Sequence, residues 1–179
     1  RDPAAIILPG VGSFDNGMEK LRNTGFLEEI KYLVLSERVP LLGICLGMHL
    51  LFENSEEGKS AGLSFLNGNV TRFNFKGQRN SKNLKVPHMG WNSLHLKEKS
   101  DIFSGLDEEA RFYFVHSYHV NCSNLSDIAA TTNYGYEFVC SVQRNNIFGV
   151  QFHPEKSHQF GIQFFKNFIR VIDKCSEQE

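Results

Sequence analysis

A thiol set between two glycines and an imidazole followed two residues later by a carboxylate are the residues here best suited to chemistry. Gly43-Ile44-Cys45-Leu46-Gly47-Met48 follows the apolar run Pro40-Leu41-Leu42, and Val150-Gln151-Phe152-His153-Pro154-Glu155 comes far downstream. A buried strand that ends in Gly-x-Cys-x-Gly and turns into a helix presents its thiol at a sharp corner, as the Gly-x-Ser-x-Gly elbow presents a serine. Glycines on either side leave room for the tight turn and for a substrate. Cysteine is inert as the thiol and needs a base to become thiolate. His153 is suited to take that proton. On an extended segment Glu155 would share its face, with Pro154 stiffening the link. A carboxylate at the second ring nitrogen fixes the tautomer, as in serine triads. The N–H of Leu46, directly after the thiol, is placed to meet a developing oxyanion, a donor worth roughly 2.7–4 kcal/mol in such sites.

Other segments admit two readings each. Pro9-Gly10-Val11-Gly12 either ends a strand or lends a backbone N–H, from Val11, to the same oxyanion. His116 and His119 have the spacing of a metal pair, but on a strand residues three apart face opposite sides, so joint ligation is not expected and no metal is assigned. Ser117 and Tyr118 between them are candidates to line a pocket. Val86-Pro87-His88-Met89-Gly90-Trp91-Asn92 holds the only Trp. It is either a core corner or a partner interface, where Trp and Met are enriched.

Positioning these groups requires a sheet. Residues 4–8 read as a buried parallel strand, 14–23 and 26–37 as helices (the second with Phe26, Ile30, Leu33 and Val34 on one face), 39–44 as a second buried strand, and 46–53 as the helix after the corner. This alternation predicts an α/β fold of three layers, a mostly parallel central sheet with flanking helices. Short β-like runs at 69–75, 91–96, 111–120, 127–132, 136–142 and 146–152 predict an antiparallel portion joined to it. A last helix over 158–174, with Ile162, Phe165, Ile169 and Ile172 at helical spacing, is expected to cover one face. Residues 76–85 are polar enough for a mobile loop. A strand-helix unit would normally precede the opening apolar run, so an N-terminal truncation is expected.

With 179 residues, 41% of them hydrophobic, the chain is expected to form one domain over 1–179. A formal net charge of −1 gives no general basic surface for nucleic acid. No apolar run has membrane-spanning length. Cys45, Cys122, Cys140 and Cys175 form no C-x-x-C pair, which argues against zinc and for a reducing, cytoplasmic setting. No cofactor is expected.

The two chemical motifs and Pro9-Gly10-Val11-Gly12 together resemble the class I, triad-type glutamine amidotransferases. Pro87-His88-Met89-Gly90-Trp91-Asn92, Phe112-Tyr113-Phe114-Val115-His116-Ser117-Tyr118 and His153-Pro154-Glu155-Lys156-Ser157 are most similar to the glutaminase subunits of imidazole glycerol phosphate synthases. The resemblance covers nearly the whole chain. It implies that Cys45 attacks the side-chain amide of glutamine, that His153 protonates the departing ammonia and then activates water, and that Glu155 orients His153. It makes Leu46 and Val11 oxyanion residues, Val11 after a peptide flip, and Gly12, Ser117 and Tyr118 glutamine-binding ones. Pro87, His88, Met89, Trp91, Asn92, Tyr113 and Lys156 match the docking face for a (β/α)8-barrel synthase or cyclase subunit that would receive the ammonia in a heterodimer of the histidine pathway. One departure is His49, where the family usually has Gln at a glutamine-binding position. A paralogous glutaminase feeding sugar amidination, a stand-alone γ-glutamyl thiol hydrolase, and a non-catalytic scaffold remain as alternatives.

Overall fold

The computed structural model describes residues 3–77, 84–97, 100–107 and 109–176. Of the polar segment 76–85, residues 78–83 lie outside the described residues. The strands are β1 (Ile6–Gly10), β2 (Leu41–Cys45), β3 (Asn54–Ser55), β4 (Gly68–Arg72), β5 (His88–Ser93), β6 (His95–Leu96), β7 (Arg111–His116), β8 (Tyr118–Cys122), β9 (Ile128–Asn133), β10 (Glu137–Arg144) and β11 (Ile147–Val150). The α-helices are α1 (Phe14–Asn23), α2 (Leu27–Leu35), α3 (Leu46–Leu50) and α4 (His158–Ser176).

The main sheet runs β1-β2-β11-β10-β8-β4-β3, with β9 pairing both β10 and β6. Its parallel part, β1-β2-β11, carries the thiol corner, and β3 and β4 also pair in parallel. The pairs β8-β4, β10-β8, β9-β10, β10-β11 and β6-β9 are antiparallel, so the antiparallel portion is larger than the sequence led one to expect. A separate two-stranded antiparallel sheet joins β5 to β7.

Alternation along the central strands divides the core between the two faces. Leu42 and Ile44 of β2, with Phe148 and Val150 of β11, pack with Phe112, Phe114, Phe152 and the α4 residues Phe164, Phe168 and Val171. Leu41 and Ile147 point the other way, toward Phe14 and Met18 of α1, Val34 of α2, and Leu46, Met48 and Leu50 around α3. The result is a mixed α/β architecture with helices on both sides of the sheet.

Several elements differ from their sequence expectation. The first strand starts at Ile6 and extends through Gly10, because Pro9 and Gly10 stay in parallel register with Ile44 and Cys45. In α4 the buried stripe is Phe164, Phe168 and Val171, while Ile162 and Ile169 are 60% and 55% exposed. That helix is apolar on more than one face, and its aromatic side packs against Phe103, Phe112 and Phe152. Phe26 likewise caps α2 in solvent, and Leu33 and Val34 carry that helix's burial. The run 111–120 is broken at Ser117 into β7 and β8. The break turns His116 and His119 toward the same two rings, Phe73 and Phe138, so the expected opposition of the two imidazoles does not occur. Among the described residues no group of three or more His, Cys, Asp or Glu side chains is placed to hold a metal ion.

Candidate active site

The corner at Cys45 is built by close backbone packing. Cys45 has φ 54° and ψ −108°, a conformation that L-residues rarely adopt and that strained functional turns use. Gly47 lies so close to β1 that a Cβ there would stand 1.7 Å from the Leu8 carbonyl oxygen. A Cβ on Gly43 would stand 2.7 Å from the carbonyl oxygen of Gly47. The two glycines thus let α3 start directly against the strands that end beneath it.

His153 reaches the same place from β11. Its backbone N–H donates to the Tyr113 carbonyl at 2.9 Å. Ser157 ties the turn to β7, since its Oγ donates to the His153 carbonyl at 2.7 Å and accepts from the Tyr113 N–H at 3.0 Å. Residues Pro154–Lys156 form a 3-10 turn, not the extended segment expected. The turn folds Glu155 back so that its Oε1 meets His153 Nδ1 at 2.7 Å. A carboxylate only accepts, so Nδ1 carries the hydrogen and Nε2 is left with a free lone pair. His153 Nε2 is buried and has no hydrogen-bond partner, as a base awaiting a proton requires.

Cys45 and His153 line one cleft of about 350 Å³ with Val11, Gly12, Leu46, His49, Glu57, Pro87, Ser117, Tyr118 and Lys156. That volume lies near the small end of the range for small-molecule sites, about 300–1,000 Å³. Burial pushes the Cys45 thiol up to about 11, against which the Leu46 N–H and the Gln151 carboxamide donate toward sulfur. The resting thiol therefore keeps its proton at neutral pH and depends on a base. The structure brings together the residues expected to form the proton-transfer pair, the carboxylate expected to orient the imidazole, both expected oxyanion residues and the four expected glutamine-binding residues. Val11 stands at the cleft's rim, 78% exposed.

The expected docking residues on β5 divide between its two faces, while Pro87, just before that strand, lines the cleft. Met89 and Trp91 lie on its outward face, 61% and 47% exposed. Trp91 stacks on His158 with ring centroids 5.2 Å apart, and meets Tyr113 edge-on at 5.9 Å. The Lys156 ammonium lies 5.9 Å from the centre of the Tyr113 ring. His88 is turned inward instead, with its ring stacked on Phe114 and Tyr134. It holds His116 Nε2 at 3.0 Å, and His116 Nδ1 holds the Tyr118 carbonyl at 2.8 Å. Strand alternation gives the reason: His88 pairs with His116, and both share the inward face. Asn92 is half-buried and donates to the Asn133 carbonyl.

Glu57 is the cleft residue that sequence patterning missed. Its carboxylate accepts the N–H of Phe14 at the start of α1 at 2.8 Å. Asp15 grips the same loop by accepting the N–H groups of Lys59 and Ser60. Glu57 is the only acidic side chain among the described residues lining the cleft. It stands in no motif, and no local pattern marks it; its place comes from the loop's contacts with α1.

A family model described as glutamine amidotransferase class-I matches residues 2–172. The chain belongs to that family. Among its curated relatives, imidazole glycerol phosphate synthase subunit HisH 2 of Methanococcus maripaludis is 49% identical, over 92% of this chain and 79% of the relative. Imidazole glycerol phosphate synthase subunit HisH of Sulfurimonas denitrificans is 50% identical, over 92% and 78%. Among solved structures, a GMP synthase-type protein from Thermoplasma acidophilum superimposes with a TM-score of 0.68 at 22% identity, covering 97% of this chain and 75% of that one. A glutamine amidotransferase from Thermotoga maritima gives 0.58 at 17%, covering 94% and 63%. At those identities the structural likeness concerns the amidotransferase fold alone.

Proposed function

We propose that this amidotransferase is the glutamine-hydrolysing component of an imidazole glycerol phosphate synthase, and that it passes ammonia to a (β/α)8-barrel subunit. The observation that carries the chemistry is the buried, unpartnered Nε2 of His153, held by Glu155 in the same cleft as the Cys45 thiol. The relatives' subunit names support the choice of synthase.

In this mechanism the glutamine side-chain carboxamide lies over Cys45, with its α-ammonium toward Glu57. The thiol proton passes to His153 Nε2 as Sγ bonds to the amide carbon. Negative charge gathers on the amide oxygen, where the Leu46 N–H and, after its peptide flips, the Val11 N–H receive it. The tetrahedral adduct collapses as the His153 imidazolium gives its proton to the leaving nitrogen. Ammonia departs and a γ-glutamyl thioester remains. His153 then takes a proton from water, whose oxygen attacks the thioester carbon. Glutamate leaves, and the proton returns to sulfur. Glu155 holds one tautomer and stabilises the imidazolium twice per cycle. Ser117, Tyr118 and Gly12 wall the substrate. The outward Met89 and Trp91, with Tyr113 and Lys156, form the face on which the barrel docks, beside the cleft mouth.

Glutamate release from glutamine, measured with and without a histidine-pathway barrel subunit, tests this assignment. The expected result is slow release alone, strong stimulation by the barrel, and loss of stimulated turnover by at least about a thousandfold in Cys45→Ser. Equal turnover with and without the barrel would instead identify a stand-alone hydrolase. Full stimulated turnover in Cys45→Ser would reject the nucleophile.

A further inference from the structure

Two buried polar side chains beside the thiol take no part in the steps above. His49 lies one turn into α3, and Gln151 directly follows β11; they are 5% and 0% exposed. The Gln151 backbone N–H is already used, donating to the Cys140 carbonyl at 2.9 Å. Its carboxamide Oε1 stands 2.7 Å from His49 Nε2, and its Nε2 stands 3.8 Å from Cys45 Sγ. A carboxamide oxygen only accepts, so the His49 nitrogen facing it must carry a hydrogen. The amide N–H is then the group left to face sulfur.

The two ends of a carboxamide have nearly the same shape but opposite polarity. With the N–H toward Cys45, the side chain donates to sulfur and favours the thiolate. With the oxygen there, it would place a lone pair against a developing negative charge. Packing alone does not choose between these orientations. A hydrogen-bond donor at the far end does. Burial lowers the His49 pKa to about 4, so near neutral pH its ring is an uncharged donor that adds no positive charge of its own beside the thiol.

We propose that His49 is a positioning residue, which holds the Gln151 carboxamide with its N–H toward Cys45 and so stabilises the thiolate that attacks substrate. His49 thus acts on the reaction through Gln151, and its Nε2 is not free to bind glutamine. The inference rests on the reading of Cys45 as nucleophile, but it concerns how readily that thiol ionises. The other titratable groups around Cys45 are His153 and Lys156, Glu155 behind His153, and Glu57, His116 and Tyr118 across the cleft; none of them is altered in the variants below.

The test is alkylation of the full chain by iodoacetamide, with Cys45 followed by peptide-resolved mass spectrometry from about pH 7 to 9, where the rate tracks the small thiolate fraction. His49→Leu is expected to slow alkylation roughly tenfold throughout that range, the size expected for losing one hydrogen bond to a charged acceptor. Gln151→Met should do the same, and the double variant should add nothing further. His49→Gln, which can also donate to the Gln151 oxygen, should restore most of the rate. His49→Asn is polar but shorter; it carries the same expectation as His49→Leu and decides the matter if His49→Leu does not fold. Wild-type rate in the folded variants would overturn the inference, as would additive losses in the double variant. No readout involves glutamine, so normal barrel-stimulated turnover with an uncoupled thiol fails this inference alone. A coupled thiol with no glutaminase activity fails only the functional reading.

Discussion

Glu155 contributes through one contact, its Oε1 on the Nδ1–H of His153. Its side chain is nearly half exposed, so exchanging it removes little packing. Glu155→Gln keeps the shape but allows the amide to present either an acceptor or a donor to Nδ1, which weakens the hold on the tautomer and the stabilisation of the imidazolium. Barrel-stimulated turnover should fall by about 10²–10⁴-fold, while urea unfolding shifts by less than about 1 kcal/mol. Steady-state glutamate release alongside a urea titration would separate the two effects. Undiminished turnover would show that His153 needs no orienting partner. The same economy explains why the pair is legible as a motif: two residues separated by a proline can meet only if the local backbone lets them. The sequence suggested an extended strand for that meeting, whereas a 3-10 turn pinned by Ser157 brings it about.

The elements around the thiol depend on contact between main chains. In Gly47→Ala the new methyl would stand 1.7 Å from the Leu8 carbonyl oxygen, a backbone atom that cannot swing aside. The variant must push α3 away from β1, and Leu46 and His49 move with that helix. A loss of about 3 kcal/mol is expected from such overpacking, read as a lower urea midpoint, together with loss of Cys45 reactivity. A fully stable variant would mean that α3 has slack the structure does not show. The Gly-x-Cys-x-Gly pattern announced this corner because few other uses require two glycines beside an apolar strand. It did not announce which face of α4 goes inward, since Ile162, Phe165, Ile169 and Ile172 have the same spacing as the aromatic stripe that is buried.

At the scale of the whole molecule, the cleft backs onto a cluster of imidazoles kept neutral by burial. His49 and His88 are held near pKa 4, His116 well below its ordinary value of 6.5, and His119 is also lowered, desolvation being the largest cause in each. An unfolded chain takes up protons on these rings near pH 6.5, whereas in the folded chain His49 and His88 do not until about pH 4 and His116 and His119 are likewise held back. Their contribution to stability is therefore complete above pH 6.5 and is lost as the pH falls toward 4. Urea midpoints should drop steeply across that window, and His88→Gln should flatten the drop while removing about 1–2 kcal/mol at pH 7. A midpoint indifferent to pH between 7 and about 4.5 would contradict neutral burial.

Local pattern alone was enough to locate the thiol corner, the histidine that meets its carboxylate, and the alternation of strands and helices. Each is a short-range arrangement governed by residue type, periodicity and turn geometry, and so is legible from neighbouring letters. Tertiary structure decided what depends on distant segments meeting. It brought Glu57 into the cleft by fastening its loop to α1, turned His88 inward through its register with β7, and broke the strand at Ser117 so that His116 and His119 face common rings. It also set Gln151 between His49 and Cys45. Such contacts follow from sheet order and register, which are settled by the packing of the whole core rather than by the residues on either side.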